Sequence, residues 1–220
     1  KLAKKYNLRI IEDAAQAHGS SYKNKLPGFF SDVATFSFYP TKNLGAIGEG
    51  GAIITNNKNI YEKAKRMRAW SHKRYEFYEI SFNYRMTEFS AISLISKIKF
   101  LDTDVKKRNL IDEKYKKLLK SKNYSIYDVK KKKHSFHIFA IRVKKEKRTK
   151  IIKKLKQNGI DTNVHYPYSL SSLKVFRKQL KNKNTPVANK LSGELLSLPI
   201  YPELSEQKIN YVSKILNKII

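Results

Sequence analysis

The stretch Ser37-Phe-Tyr-Pro-Thr-Lys42-Asn-Leu-Gly45 decides how this chain is interpreted, because it places a lysine in a short turn between two predicted strands. Residues 33–39 alternate in the manner of a β-strand, and residues 50–55 predict a glycine-led strand after the turn. Upstream, an apolar run predicts another strand that is followed by the carboxylate of Asp13. Functional groups of α/β sheets gather where strands end, so Lys42 and Asp13 are candidates for one site.

The composition predicts a folded protein without a membrane partner. The chain has 220 residues, 40% of them hydrophobic, and its 14 Tyr and 11 Phe argue against intrinsic disorder. No apolar run approaches the roughly 20 residues of a membrane span, and the first residues do not resemble a signal peptide. Cysteine is absent, which excludes disulfides and thiolate metal sites, and no metal ligand set is predicted. These features favour a cytoplasmic location.

The net charge of +29 permits two interpretations. A basic patch is the electrostatic signature of a protein that binds nucleic acid or another polyanion. Here, however, lysine is scattered through most of the chain, together with abundant Asn and Ile, as in general compositional drift. A solvated basic surface without a specific nucleic-acid partner is the favoured interpretation, and a basic polyanion-binding protein is the alternative.

The pattern of helices and strands predicts two domains with a helix between them. Residues 1–100 predict the latter part of a large α/β domain, which the chain enters in the middle of a helix–strand unit. Residues 101–122 predict a connecting helix, continuous with a helix that begins near Thr87. Residues 123–220 predict a small α+β domain that includes a short strand at residues 160–165.

Four side chains near the predicted strand ends have the chemistry of a pyridoxal phosphate site. The Lys42 amine can form a Schiff base with a cofactor aldehyde, and Asp13 can pair with a protonated pyridine nitrogen. Gln16 can reach the phenolic oxygen of the cofactor, and the Ser37 hydroxyl can bind phosphate together with backbone amides. Taken singly, Lys42, Asp13 and Ser37 also have structural explanations: a surface lysine, a helix-capping Asp and a polar residue of a strand.

Several motifs, in order along nearly the whole chain, are similar to those of the DegT/DnrJ/StrS sugar aminotransferases. The first two are the most specific and contain Asp13 and Lys42. The motifs are Ile11-Glu-Asp-Ala-Ala-Gln-Ala-His-Gly19, Phe36-Ser-Phe-Tyr-Pro-Thr-Lys-Asn-Leu-Gly45, Glu49-Gly-Gly-Ala52, Asn83-Tyr-Arg-Met-Thr-Glu88, His137-Ile-Phe, His165-Tyr-Pro167 and Leu196-Ser-Leu-Pro-Ile-Tyr-Pro202.

The resemblance implies a type I pyridoxal phosphate enzyme and assigns roles to five residues. Lys42 corresponds to the lysine that binds the cofactor covalently and moves protons, and Asp13 to the partner of the pyridine nitrogen. Gln16 corresponds to the residue near the phenolic oxygen, and Ser37 to a phosphate ligand. Asn83 corresponds to a residue that reaches the cofactor phosphate of the neighbouring subunit, which implies a homodimer with shared active sites.

The resemblance further implies transamination of a nucleotide-linked keto sugar, with glutamate as the amino donor, in amino-sugar synthesis for a surface polysaccharide or glycan. Lysine at position 42 favours this reaction, because relatives that dehydrate sugars carry histidine there. His18, Arg85 and His165 are weaker candidates for contact with the substrate or with other site residues. For each of these three, a purely structural role is the alternative.

The implied fold class is α/β: the C-terminal part of a type I pyridoxal-phosphate-dependent transferase fold, with an incomplete mixed sheet domain and a small α+β C-terminal domain. Family members begin with a phosphate-binding helix and a ring-stacking aromatic that these residues do not include, so the chain resembles an N-terminally truncated member. A catalytically incompetent fragment that needs a missing N-terminal half is therefore the alternative function.

Overall fold

The computed structural model describes residues 1–69, 80–119, 133–176, 179–180 and 185–219, and the backbone of residues 124–126. The chain divides into two units. The first unit comprises Lys1–Lys106 and Lys131–His137, and the second comprises Lys107–Lys130 and Ile138–Ile220. Among the described residues, no helix has the length and apolar character needed to cross a membrane.

The first unit is built on a three-stranded mixed sheet in the order β1-β2-β3. Strand β1 pairs with β2 in parallel, and β2 pairs with β3 in antiparallel orientation. Because β1 and β2 are parallel, their carboxyl ends lie at the same edge of the sheet. The elements of this unit are α1 (Leu2–Lys5), β1 (Ile11–Asp13), β2 (Val33–Ser37), β3 (Gly51–Ile54), α2 (Lys58–Arg68) and α3 (Glu88–Ile98).

Local side chains set where the helices of the first unit begin. Asn57 Oδ1 accepts hydrogen bonds from the amides of Asn59 and Ile60, at 2.9 and 3.2 Å, and so caps the first turn of α2. Thr87 Oγ1 caps α3 in the same way by accepting from Ser90 N at 3.3 Å. These caps satisfy amide groups that have no partner inside a helix.

The second unit packs helices on a three-stranded antiparallel sheet in the order β4-β5-β6. Strand β5 alternates buried and more exposed residues, so one face of the sheet enters the core. Tyr115, Leu155 and Leu216 come from three helices and are fully buried in that core. The elements are α4 (Leu101–Leu118), which begins in the first unit, β4 (Tyr124–Ile126), β5 (Phe139–Val143), α5 (Lys145–Gln157), α6 (Pro186–Glu194), β6 (Leu195–Leu198) and α7 (Glu206–Ile219).

The predicted continuous helix from Thr87 is wrong, because α3 ends at Ile98 and α4 begins at Leu101. Phe100 N donates to Lys97 O at 2.9 Å, which is an i→i+3 hydrogen bond of the 3₁₀ type, so the backbone turns more tightly at the junction than in an α-helix. The apolar residues on both sides of the junction recur at helical spacing. A break of two residues is too short to disturb that pattern in the sequence.

The predicted strand at residues 160–165 is also wrong, because only Asn163 pairs with a neighbour, in an isolated bridge to Ser197. The Asn163 side chain accepts from Val164 N at 2.8 Å. A local side-chain acceptor of this kind competes with a strand partner for the amide, so the ladder does not extend.

The two units differ in their boundaries from the predicted domains. The predicted boundary between residues 122 and 123 lies outside the described residues. Residues 133–137 group with the first unit, whereas the sequence pattern placed them in the small domain. Their contacts with the loops after β1 and β2, described below, are the reason.

Candidate active site

Asp13 and Ser37 end the two parallel strands and therefore lie at the same edge of the sheet. Asp13 is paired in register with Thr35, two residues before Ser37. The Asp13 side chain is exposed, and its Oδ1 accepts from Ala15 N at 3.0 Å. That bond orients the carboxylate and leaves Oδ2 available for a ligand. The Ser37 Oγ accepts from Tyr39 N at 3.3 Å, so its hydroxyl hydrogen can still be donated.

Lys42 lies in a tight turn directly after β2. Its amide donates to Tyr39 O at 2.8 Å, and Ala46 N returns to Phe38 O at 2.8 Å. A Cβ on Gly45 would lie 2.3 Å from the backbone oxygen of Pro40, so only glycine permits this close return of the chain. The turn thus holds Lys42 at the same edge as Asp13 and Ser37.

His18 is buried beside this turn, between two aromatic side chains. It is 4% exposed, and its ring centroid lies 5.4 Å from that of Phe36 and 5.8 Å from that of Phe38. Neither ring nitrogen makes a well-formed hydrogen bond to a described residue, although the backbone of Ser37 acts on the ring as a hydrogen-bond partner. His18 is thus packed beside the Lys42 turn and is not open to solvent.

The surroundings of His18 favour its neutral form. Burial lowers the pKa of His18, and the positive charge of Lys42 lowers it further. A hydrogen bond with the backbone of Ser37 raises the pKa of His18, but its effect is smaller than that of burial and of the Lys42 charge. His18 therefore does not add a second positive charge beside Lys42 at neutral pH.

We expect the first unit to lose stability as the pH falls below about 6.5, the ordinary pKa of histidine. Because folding lowers the pKa of His18, the unfolded chain binds the proton first, and the free energy of unfolding decreases as the pH falls. A His18→Gln variant should show a flatter pH dependence. Denaturant unfolding, followed by amide exchange in the first unit, measures this. Equal slopes for the two proteins would contradict it.

Asn83 and Arg85 lie together on a different segment of the first unit. Arg85 Nε donates to Asn83 Oδ1 at 3.0 Å, and both residues are exposed. A bridge between Asn83 and Ala69 holds this segment against the end of α2. The geometry presents the Asn83 amide group at the surface.

His165 belongs to the second unit, whereas Lys42, Asp13 and Ser37 belong to the first. Its Nδ1 lies 2.9 Å from Ser197 Oγ, and the side chain is half-buried. The structure therefore assigns His165 a local hydrogen bond to β6.

The residues at the carboxyl ends of β1 and β2 have the chemical groups that pyridoxal phosphate requires. They combine an amine, a carboxylate with an available oxygen and a hydroxyl donor, in the type of position that α/β folds use for ligands. Asn43 Oδ1 adds a further buried oxygen that accepts no hydrogen bond from the residues that the structure describes.

Sequence patterns alone missed Ser135 and gave Asn43 no role, although both contact this edge. Ser135 Oγ donates to Gln16 O at 2.5 Å, and Asn43 Nδ2 donates to Ser135 O at 2.7 Å. The sequence could have pointed to these two residues only through their positions beside quoted motifs. Asn43 follows Lys42, and Ser135 lies two residues before His137-Ile-Phe. No local pattern links residues so distant along the chain.

Comparison with known families gives a match over residues 1–217 to the DegT/DnrJ/EryC1/StrS aminotransferase family. The chain belongs to this family. Members of the DegT/DnrJ/EryC1/StrS family use pyridoxal phosphate, which confirms the predicted cofactor.

Curated relatives within the DegT/DnrJ/EryC1/StrS family resemble the chain along almost all of its length. A protein of Geobacillus stearothermophilus described as a pleiotropic regulatory protein is 38% identical over 217 residues, which are 96% of this chain and 58% of the relative. A dTDP-3-amino-3,6-dideoxy-alpha-D-galactopyranose transaminase of Aneurinibacillus thermoaerophilus is 37% identical, covering 99% of this chain and 60% of the relative. The chain thus spans about three-fifths of these relatives.

A solved structure confirms the predicted fold class. DesV of S. venezuelae superimposes with a TM-score of 0.93 at 30% identity, over 99% of this chain and 59% of that chain. The chain therefore has part of the fold of the DegT/DnrJ/EryC1/StrS aminotransferases.

Proposed function

We propose that this chain is the lysine-bearing part of a pyridoxal phosphate enzyme that transfers an amino group to a nucleotide-linked keto sugar. The observation that carries the proposal is the grouping of Asp13, Ser37 and the Lys42 turn at one sheet edge, with His18 buried beside Lys42. Support for the substrate class comes from relatives described as transaminases of dTDP-linked amino sugars.

In this proposal, bound pyridoxal phosphate supplies an electron-accepting ring that stabilises negative charge at the substrate carbon. Asp13 would hold the pyridine nitrogen through Oδ2, since its Oδ1 is engaged by Ala15 N. Gln16 would contact the phenolic oxygen. Ser37 would donate its hydroxyl hydrogen to the phosphate, assisted by backbone amides of the turn.

Lys42 would bind the cofactor covalently until the amine of the amino donor displaced its Nζ, and the freed Nζ would then act as the general base and acid. It would take a proton from the α-carbon of the donor and deliver it to C4′ of the cofactor, work that contributes about 10²–10⁴-fold in rate. Neutral His18 packs against Phe36 and Phe38 beside the turn and adds no second positive charge there.

The remaining parts of the proposal concern partners and location. We propose glutamate as the amino donor and a cytoplasmic enzyme of polysaccharide or glycan synthesis. We also propose a homodimer in which Asn83 reaches the phosphate bound by the neighbouring subunit, with Arg85 orienting the Asn83 amide through its 3.0 Å bond. His165 would approach the substrate.

A second candidate is a chain that is active only with further residues, in the same polypeptide or in a separate one. The exposure of β1 favours it, since Ile11 is 74% exposed on a strand that pairs on one side only among the described residues. Uncovered apolar edge strands invite pairing with another segment.

The deciding experiment supplies the purified protein with pyridoxal phosphate, glutamate and a panel of dTDP- and UDP-linked keto sugars. We expect 2-oxoglutarate and an amino sugar in equal amounts, detected by mass spectrometry. A borohydride-stable cofactor adduct without turnover would favour the second candidate. Absence of any cofactor adduct would refute cofactor binding by this chain.

A further inference from the structure

We infer that Ser135 is a positioning residue that ties the loop carrying Gln16 to the turn carrying Lys42. The effect on the cofactor rests on the proposed function, whereas the tie itself rests on contacts within the first unit. Ser135 is 3% exposed and comes from a segment more than ninety residues beyond Lys42. We call residues 133–135 the clamp segment.

The clamp segment makes one hydrogen bond to each loop through the same residue. The Ser135 hydroxyl donates to Gln16 O at 2.5 Å, and the Ser135 carbonyl accepts from Asn43 Nδ2 at 2.7 Å. Gln16 is one of the proposed cofactor contacts, and Asn43 adjoins Lys42. A single buried residue therefore joins the backbone of one loop to the side chain beside the reactive lysine of the other.

The sheet does not make this connection by itself. At the carboxyl ends of β1 and β2, the ladder finishes with a backbone hydrogen bond from Ala14 N to Thr35 O at 2.8 Å. Past that point, Gln16 and Lys42 lie on loops that leave the β1–β2 ladder. Positioning within fractions of an ångström is what a reacting group requires, so a bond across the two loops has a direct consequence for the site.

The clamp segment is itself anchored to the first unit. Ser21 N donates to Lys133 O at 2.8 Å, and Lys133 Nζ pairs with Asp102 Oδ1 at 2.8 Å. The Asp102 pair is exposed and contributes little stability alone. Together, the Lys133–Asp102 ion pair and the hydrogen bond from Ser21 N to Lys133 O hold the backbone that leads to Ser135.

The first test needs no cofactor. In Ser135→Ala, we expect faster amide exchange at Ala17 and Lys42, whose amides donate to Ala14 O and Tyr39 O within their own loops. Exchange in β2 should not change. The matched control is Ser20→Ala: the Ser20 hydroxyl also donates to a backbone carbonyl, Ala17 O at 2.8 Å, but within one loop. Unchanged exchange at Lys42 in the Ser135 variant would overturn the tie.

The second test measures how selectively pyridoxal phosphate labels Lys42. After borohydride reduction, peptide mass spectrometry compares the adduct on Lys42 with that on the exposed Lys58 of the same molecules. We expect Ser135→Ala to raise the cofactor concentration for half-labelling of Lys42 by roughly two- to tenfold, the effect of one lost hydrogen bond. Labelling of Lys58 should not change, and Ser135→Thr, which keeps a hydroxyl, should restore most of the selectivity.

The two tests separate the possible outcomes. If the wild-type protein forms no Lys42 adduct, the proposed function fails, and the exchange experiment still decides whether the tie exists. If exchange changes but Lys42 selectivity does not, Ser135 is only structural and the positioning role is wrong. If Ser135→Ala does not fold, Asn43→Asp removes the other bond of the clamp, and unchanged Lys42 selectivity in that variant would equally refute the inference.

Discussion

Replacement of Lys42 by alanine is expected to remove the cofactor adduct and to lower turnover by at least about 10²–10⁴-fold, the usual contribution of general acid–base catalysis. The physical reason is that Lys42 is the proposed amine that condenses with the cofactor aldehyde, and it lies in a turn whose close return at Gly45 has no room for a Cβ. Borohydride reduction with peptide mass spectrometry measures the adduct, and release of 2-oxoglutarate from glutamate measures turnover.

The matched control for Lys42 is Lys58→Ala, since Lys58 is an exposed lysine at the start of α2. This variant should keep both the adduct and any turnover. Lys42→Arg retains a positive charge without an amine that condenses with an aldehyde, so it should behave like the alanine variant. Full labelling and turnover in Lys42→Ala would show that another lysine binds the cofactor.

Leu155→Ala is expected to destabilise the second unit by about 2–5 kcal/mol, because it leaves a cavity in a close-packed core. Leu155 is fully buried on α5 and belongs to the cluster formed with β5, β6 and α7. A loss of this size is a large part of the stability of an ordinary domain, about 5–15 kcal/mol. Amide exchange at Phe139–Val143 under increasing denaturant measures it.

Two controls accompany the core variant. Leu155→Met nearly conserves volume and should cost less than about 1.5 kcal/mol. Leu170→Ala removes the same atoms from a residue that is 73% exposed and should change stability little. Equal exchange rates in β5 for wild type and Leu155→Ala would contradict the packing of this core, whereas an equal loss in β2 would show that the two units unfold together.

The strands of the first unit were predictable from local patterns. Alternation gave β2, and the apolar run before Asp13 gave β1, within a few residues of their observed limits. The order of Asp13, Ser37 and Lys42 around strand ends also implied a shared edge. The parallel pairing of β1 with β2 places two of these residues, Asp13 and Ser37, at that edge.

Other features depended on hydrogen bonds that no periodicity contains. The junction between α3 and α4 rests on one tightened bond at Phe100. The missing strand at residues 160–165 rests on the Asn163 side chain, which accepts from the next amide in place of a strand partner. In both places a single local contact outweighs a favourable pattern of side chains.

The amino-acid sequence by itself determined the family, the candidate lysine and the carboxylate, because these appear as contiguous motifs around strand ends. Only the tertiary structure decided that His18 is buried beside Lys42, and that Ser135 joins Gln16 to Asn43. Burial and long-range hydrogen bonds arise when segments distant in the chain pack together. Their partners are therefore set by the folded backbone and not by spacing along the sequence.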